Sequence, residues 1–186
     1  MNKDRVIALT DGIVAIAATI MVLELSVPSV ITLDALVSQI PTLYAYIISF
    51  ALVYLSWRSH HNAFEKADNI NGKVFIINGI WLFFITLVPF VTGLIGNDPN
   101  SLLSTSLYII VISLWTLTFQ FLDKALVDCN PGAERDEVRH NTQRILLFGS
   151  YIVGFAFCFI IPIISIIIIG LAILSMLVQI LRENMS

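Results

Sequence analysis

Apolar residues run in six long segments along the chain, near 6–27, 41–63, 74–96, 102–122, 142–160 and 163–181, each bounded by a short polar stretch. A bilayer core of roughly 30 Å takes about 20 apolar residues of helix, so each segment is long enough to cross it. The pattern predicts an all-α integral membrane protein: one six-helix transmembrane domain over 1–186, with no room for a separate soluble unit. The first segment is interrupted by Asp11 and followed by Val27-Pro28 rather than a small-residue cleavage site. It therefore reads as a retained span and not a signal peptide. Thr32 and Asp34 offer N-caps in the link after span 1, and Pro41 opens span 2. Asn97-Asp98-Pro99-Asn100 marks a turn after span 3, and Pro162 alone marks a hairpin between spans 5 and 6.

Composition and charge orient these spans. With 58% hydrophobic and 12% charged residues, the chain lies outside the range of soluble domains. All ten basic residues (Lys3, Arg5, Arg58, Lys66, Lys73, Lys124, Arg135, Arg139, Arg144 and Arg182) fall at alternate ends of the six spans. By the positive-inside rule, both termini and the loops at 58–73 and 123–144 are expected in the cytoplasm. The links around Asp34, Asp98 and Pro162 carry no Lys or Arg. Within the 123–144 loop, Cys129-Asn130-Pro131-Gly132 precedes a charged stretch that reads as a helix start. The net charge of −3 comes mainly from acidic residues in the cytoplasmic loops, so no nucleic-acid partner is expected. Cys129 and Cys158 fall at different membrane levels and are not expected to pair.

The polar exceptions then stand out. An ionisable group inside a span costs a few kcal/mol unless it is paired, faces protein or water, or acts, and Asp11 is such a group. Trp57, His60 and His61 lie where span 2 ends, at the membrane face where span 1 begins. Hydrogen bonding of His60 or His61 to Thr10 and Asp11 would account for a carboxylate some 7–8 Å into span 1. Adjacent histidines diverge on a helix and no Cys, Asp or Glu completes a ligand set, so neither a metal nor a cofactor is expected. Further along span 1, Ile16, Thr19, Ile20 and Leu23 share one face within about 100° of arc, with Gly12 on it too. Such a stripe serves either helix packing or, in symmetric copies, rings of aliphatic side chains that gate a pore by dewetting. The segment Thr92–Gly96 lacks the Thr-Val-Gly-Tyr-Gly pattern of a carbonyl filter and is assigned to a turn. Glu24 reads as reaching the headgroup layer, with a pore mouth as the alternative. Metalloprotease, hydrolase and phosphate-loop signatures are absent, so an enzyme is not expected.

Arg5-Val-Ile-Ala-Leu9-Thr10-Asp11-Gly12 resembles the Arg-x-x-x-Phe-Ser-Asp-Gly opening of the bacterial branch of the transmembrane protein 175 family, with Leu9 for Phe and Thr10 for Ser. The string Trp57…His60-His61…Phe64 is similar to that family's second helix. The resemblance implies a homotetrameric, leak-type potassium channel in the bacterial inner membrane, conducting K+ through a central pore lined by four first helices. By the same resemblance the constriction falls at Ile16, with Ile20 and Leu23 further along and Thr19 at a hydroxyl position linked to selectivity. Arg5, Thr10, Asp11, Gly12, Trp57, His60 and His61 would then hold the pore helix and not touch the ion. A secondary transporter with its path inside one subunit, or a non-transporting membrane scaffold, is the alternative reading of the same stripe.

Overall fold

A computed structural model describes residues 2–25, 27–132 and 141–185, with the backbone alone at 141–143 and 183–185. Among the described residues the chain is helical throughout: α1 (Lys3–Ile20), a 3-10 turn (Met21–Glu24), α2 (Leu33–Val37), α3 (Ile40–Glu65), α4 (Gly72–Asn97), α5 (Leu102–Cys129), α6 (Asn141–Phe157) and α7 (Pro162–Met185). Five of these segments are long and apolar enough to cross a membrane, and α6 contributes a shorter apolar helix.

Helix starts follow local chemistry. Side chains of Asn2, Thr32, Asn71 and Ser101 each accept a hydrogen bond from the backbone N–H three residues on, supplying an orphan donor of the first turn with a partner. Pro41 lies in the first turn of α3, where its missing N–H costs nothing. Pro162 opens α7; the chain reverses through 158–161 because a proline cannot continue α6 and disfavours helical backbone in the residue before it.

Three expected boundaries are corrected. Span 1 does not run helically to residue 27: α1 stops at Ile20 and tightens into the 3-10 turn, where fully buried Met21 packs under Thr92 of α4, 3.8 Å from its hydroxyl. The segment Thr92–Gly96 is no turn but the last stretch of α4, with Thr92 donating to Val88 O at 2.8 Å. Span 4 does not end at residue 122, since α5 continues to Cys129 with Ala125 and Leu126 buried, and the polar loop begins only at Asn130. The helix start expected in the charged stretch after Gly132 lies outside the described residues up to Asn141, where α6 begins.

The core is assembled around α4, which packs most extensively on α5 and also on α3 and α1, while α6 and α7 form a hairpin. Lipid is as apolar as leucine, so helices associate through close packing and buried hydrogen bonds and not through exclusion of water. Both devices are present. Trp81, Trp115, Tyr108, Phe64 and Phe119 fill the interior. The Ser49 hydroxyl of α3 lies within hydrogen-bond reach of Tyr108 of α5 at 3.0 Å and of Thr92 of α4 at 2.8 Å, while Thr116 meets Tyr151 of α6 at 3.1 Å. At Gly170 of α7 a Cβ would collide with Tyr44 and Ile48 of α3, so glycine is what lets these two helices cross closely.

At the end of the bundle holding the start of α1, Lys3 Nζ donates to Ala67 O at 2.7 Å just beyond α3, and Asn130 clasps the backbone of Asn69 through both its amide oxygen (2.8 Å) and nitrogen (2.9 Å). Arg144 of α6 pairs with Asp123 of α5 at 3.6 Å, where the carboxylate is only 4% exposed. A buried charge that loses its counter-ion costs about 3–5 kcal/mol, whereas replacing both by apolar groups is near neutral. Arg144→Met is therefore expected to lower the thermal unfolding midpoint of the purified protein, and Asp123→Leu added to it to recover most of the loss. A double variant no more stable than Arg144→Met would contradict this account of the pair.

Candidate functional site

Near the same end, α1, α3 and α4 meet through one polar junction. Asn78, six residues into α4, is 2% exposed. Its Nδ2 donates to Thr10 Oγ1 of α1 at 3.0 Å, and its Oδ1 accepts from His60 Nε2 of α3 at 2.9 Å. The amide orientation fixes the proton on His60 Nε2, because a carbonyl oxygen only accepts. The imidazole is 1% exposed and sandwiched between Phe64 and Trp81, at ring separations of 4.3 and 4.8 Å and near-parallel planes. The ring is thus held on both faces and at its edge.

Asp11 is satisfied differently. Trp57 Nε1 of α3 donates to Asp11 Oδ1 at 2.8 Å. Trp57 is in turn flanked by Tyr54 and by His61, whose ring stacks on it at 5.7 Å. This corrects the expected pairing of a histidine with Thr10 and Asp11. His60 reaches Thr10 only through Asn78, and exposed His61 supports the indole instead of the carboxylate. Consecutive helical residues point about 100° apart, which separates the two histidines. Arg5 stays exposed and its side chain makes no hydrogen bond or ion pair with the described residues, so within the subunit it does not join the network.

Sequence reasoning missed Asn78. Its signal was available: an asparagine within an otherwise apolar span calls for a partner as Asp11 does.

The network sets the rotation of α1. Val6, Thr10, Val14, Ala17 and Met21 face the bundle and are buried. The opposite face is open: Ile16 is 59% exposed, Ile20 45% and Leu23 75%, with Gly12 and Thr19 exposed beside them. Leu23 lies beyond the end of α1, in the 3-10 turn, yet stays on the open side. The Thr19 hydroxyl donates to its own helix, to Ala15 O at 3.0 Å and Ile16 O at 2.9 Å. Ile16 and Ile20 also border a groove of about 380 Å³ against α4, beside Thr86 and Pro89. Glu24 closes one end of it, its carboxylate lying over Gly93 of α4 where a Cβ would leave no space. That contact keeps the Glu24 side chain half-buried against its own subunit.

The chain is similar to proteins of known kind along most of its length. A potassium channel of Chryseobacterium sp. (strain P1-3) is 31% identical over 168 residues, spanning 89% of this chain and 88% of that one. A potassium channel of Chamaesiphon minutus (strain ATCC 27169 / PCC 6605) is 31% identical over 170 residues, with 84% of each chain covered. The crystal structure of a lysosomal potassium-selective channel TMEM175 homolog from Chamaesiphon minutus superposes with a TM-score of 0.77 at 28% identity, covering 95% of this chain and 97% of that one. The model of the family described as endosomal/lysosomal potassium channel TMEM175 matches residues 5–89, the stretch that carries α1, the polar junction and the Pro89 groove. With the motif helices, the sequence kinship and the shared helical fold in agreement, the chain belongs to the TMEM175 family.

Proposed function

We propose that this chain is the subunit of a potassium-selective, leak-type cation channel. Four copies surround a central pore lined by the open stripe of α1, with Ile16 at the constriction and Ile20, Leu23 and Thr19 further along. Each subunit contributes one six-helix transmembrane domain, with both termini in the cytoplasm, to an assembly in the cell membrane, the inner membrane of a bacterium. The permeant ion is K+, and no cofactor takes part.

The observation that carries this reading is the division of α1. One face is packed and hydrogen-bonded into the bundle, and the other presents bulky aliphatic side chains outside the subunit. A ring of such side chains from four subunits is a hydrophobic gate that passes ions only when it is wide enough to wet. A conduction path within one subunit has less support, since Trp81, Trp115, Tyr108 and Phe119 fill the space between α3, α4 and α5. The potassium channel names of the bacterial relatives support the choice of ion.

Three experiments address the pore and its support. In proteoliposomes, Ile16→Ala and Ile16→Asn are expected to raise K+ flux several-fold and to weaken its selectivity over Na+. Purified protein in lipid nanodiscs should measure as a tetramer. Unaltered flux and selectivity in both variants, or a monomer, would remove the central pore. Trp57→Phe keeps an aromatic ring but withdraws the donor from Asp11; it is expected to cost about 1–3 kcal/mol of stability and to lower flux. Adding Asp11→Leu to it should recover stability, as scored by thermal unfolding, because no carboxylate is then left without its donor.

A further inference from the structure

A second groove lies on the opposite flank of α4, between it and α5. It encloses about 470 Å³ and combines two chemistries. Ile77, Ile80, Leu117 and Phe121 form an apolar wall, and Lys73, Lys124 and Asp128 gather at one end. From Lys73 to Ile80 the wall runs about 10 Å along the helix axis at 1.5 Å per residue. The charged end is the one that holds the start of α4 and the end of α5, together with the basic loops.

The two lysines come from different helices and are not committed elsewhere. Lys73 meets Asp128 at 3.9 Å, with the two side chains 64% and 51% exposed, and a loose exposed pair of this kind is worth little. Lys124 is exposed. The neighbouring groove between α5 and α6, about 510 Å³, provides a contrast. It shares Leu114 and Leu117 with the groove between α4 and α5, yet no charged residue among the described ones lines it. Lipid chains suit both grooves, but among the described residues it is the groove between α4 and α5 that offers cations to a headgroup.

We propose that the groove between α4 and α5 binds an anionic phospholipid, one acyl chain lying along Ile77, Ile80, Leu117 and Phe121 and the headgroup phosphate between the ammonium groups of Lys73 and Lys124. Lysine stems lie along apolar surface while their heads reach the interface, which is the geometry a phosphate at headgroup level needs. Basic pockets between transmembrane helices on the cytoplasmic side select anionic headgroups on the same electrostatic grounds. Asp128 opposes the phosphate and moderates the affinity. A free anion would gain nothing from the apolar wall, so the lipid is the occupant the whole groove fits.

Native mass spectrometry of the full-length protein, equilibrated with equal amounts of phosphatidylglycerol and phosphatidylcholine of the same chain length, provides the test. Wild type is expected to retain the anionic lipid about tenfold over the zwitterionic one, a preference of about 1.4 kcal/mol. Lys73→Gln with Lys124→Gln should bring the ratio near unity, and Asp128→Asn should raise it. Arg182→Gln, which removes a basic residue at the same face outside the groove, should leave it unchanged. Leu117→Trp, which fills the wall, should reduce retention of both lipids. No preference in wild type, an equal fall with Arg182→Gln, or displacement of the lipid by excess inorganic phosphate would overturn the proposal. Size-exclusion profiles establish that each variant is folded, and the substituted lysines and Asp128 are exposed, so folding does not depend on them.

Discussion

The amide of Asn78 is the constraint around which the rest of the subunit is arranged. In a span surrounded by lipid an asparagine has no water to satisfy it, and each unpaired polar group there costs several kcal/mol. Asn78 meets the demand by reaching outward to two helices at once, giving a hydrogen to Thr10 and taking one from His60. Three helices are thereby pinned at a single level. Trp57 and Asp11 form a second tie about one residue further along α1 and one turn back along α3, and two ties at different angles leave α1 no freedom to roll.

The orientation of α1 follows, and the character of the molecular surface follows from that. Val14, Ala17 and Met21 turn inward, so Ile16, Ile20 and Leu23 must turn outward. In water such an exposed stripe would drive association by itself. In lipid it costs nothing, and its presentation on a rigidly held helix beside the Pro89 groove is what gives it meaning. Between α3, α4 and α5 the interior is filled by aromatic rings and crossed by the Ser49, Thr92 and Tyr108 hydrogen bonds.

Much of the fold was legible from the chain. Apolar run length identified the spans, and Pro41 and Pro162 marked helix starts where a missing N–H is harmless. Boundaries were less legible because amphipathic residues near a membrane face belong equally to a loop or to a helix that projects beyond the lipid. Asp123 and Lys124 looked like the start of a loop, but burial of Ala125 and Leu126 and the partner at Arg144 keep α5 helical for almost two more turns. Thr92 and Gly93 looked like turn residues; one caps a buried hydrogen-bond chain and the other makes room for Glu24. At the polar junction two of the three helices, α1 and α3, were evident, since Asp11, Thr10, Trp57 and His60 are costly or distinctive in apolar surroundings; the part of α4 and its Asn78 was not. Nor was the pairing of these groups.

What the sequence determined by itself is whatever depends on one residue or one run: membrane insertion, helix starts, the alternation of charge, and the two faces of α1 separated by 100° steps. Only the tertiary structure decided which polar group satisfies which, because Thr10, His60 and Asn78 are separated by 68 and 18 residues and their distances depend on how three helices pack. It also decided which face of α1 is enclosed. Periodicity defines two faces equally well, and the choice between them rests on the hydrogen bonds that a helix in lipid must find within protein.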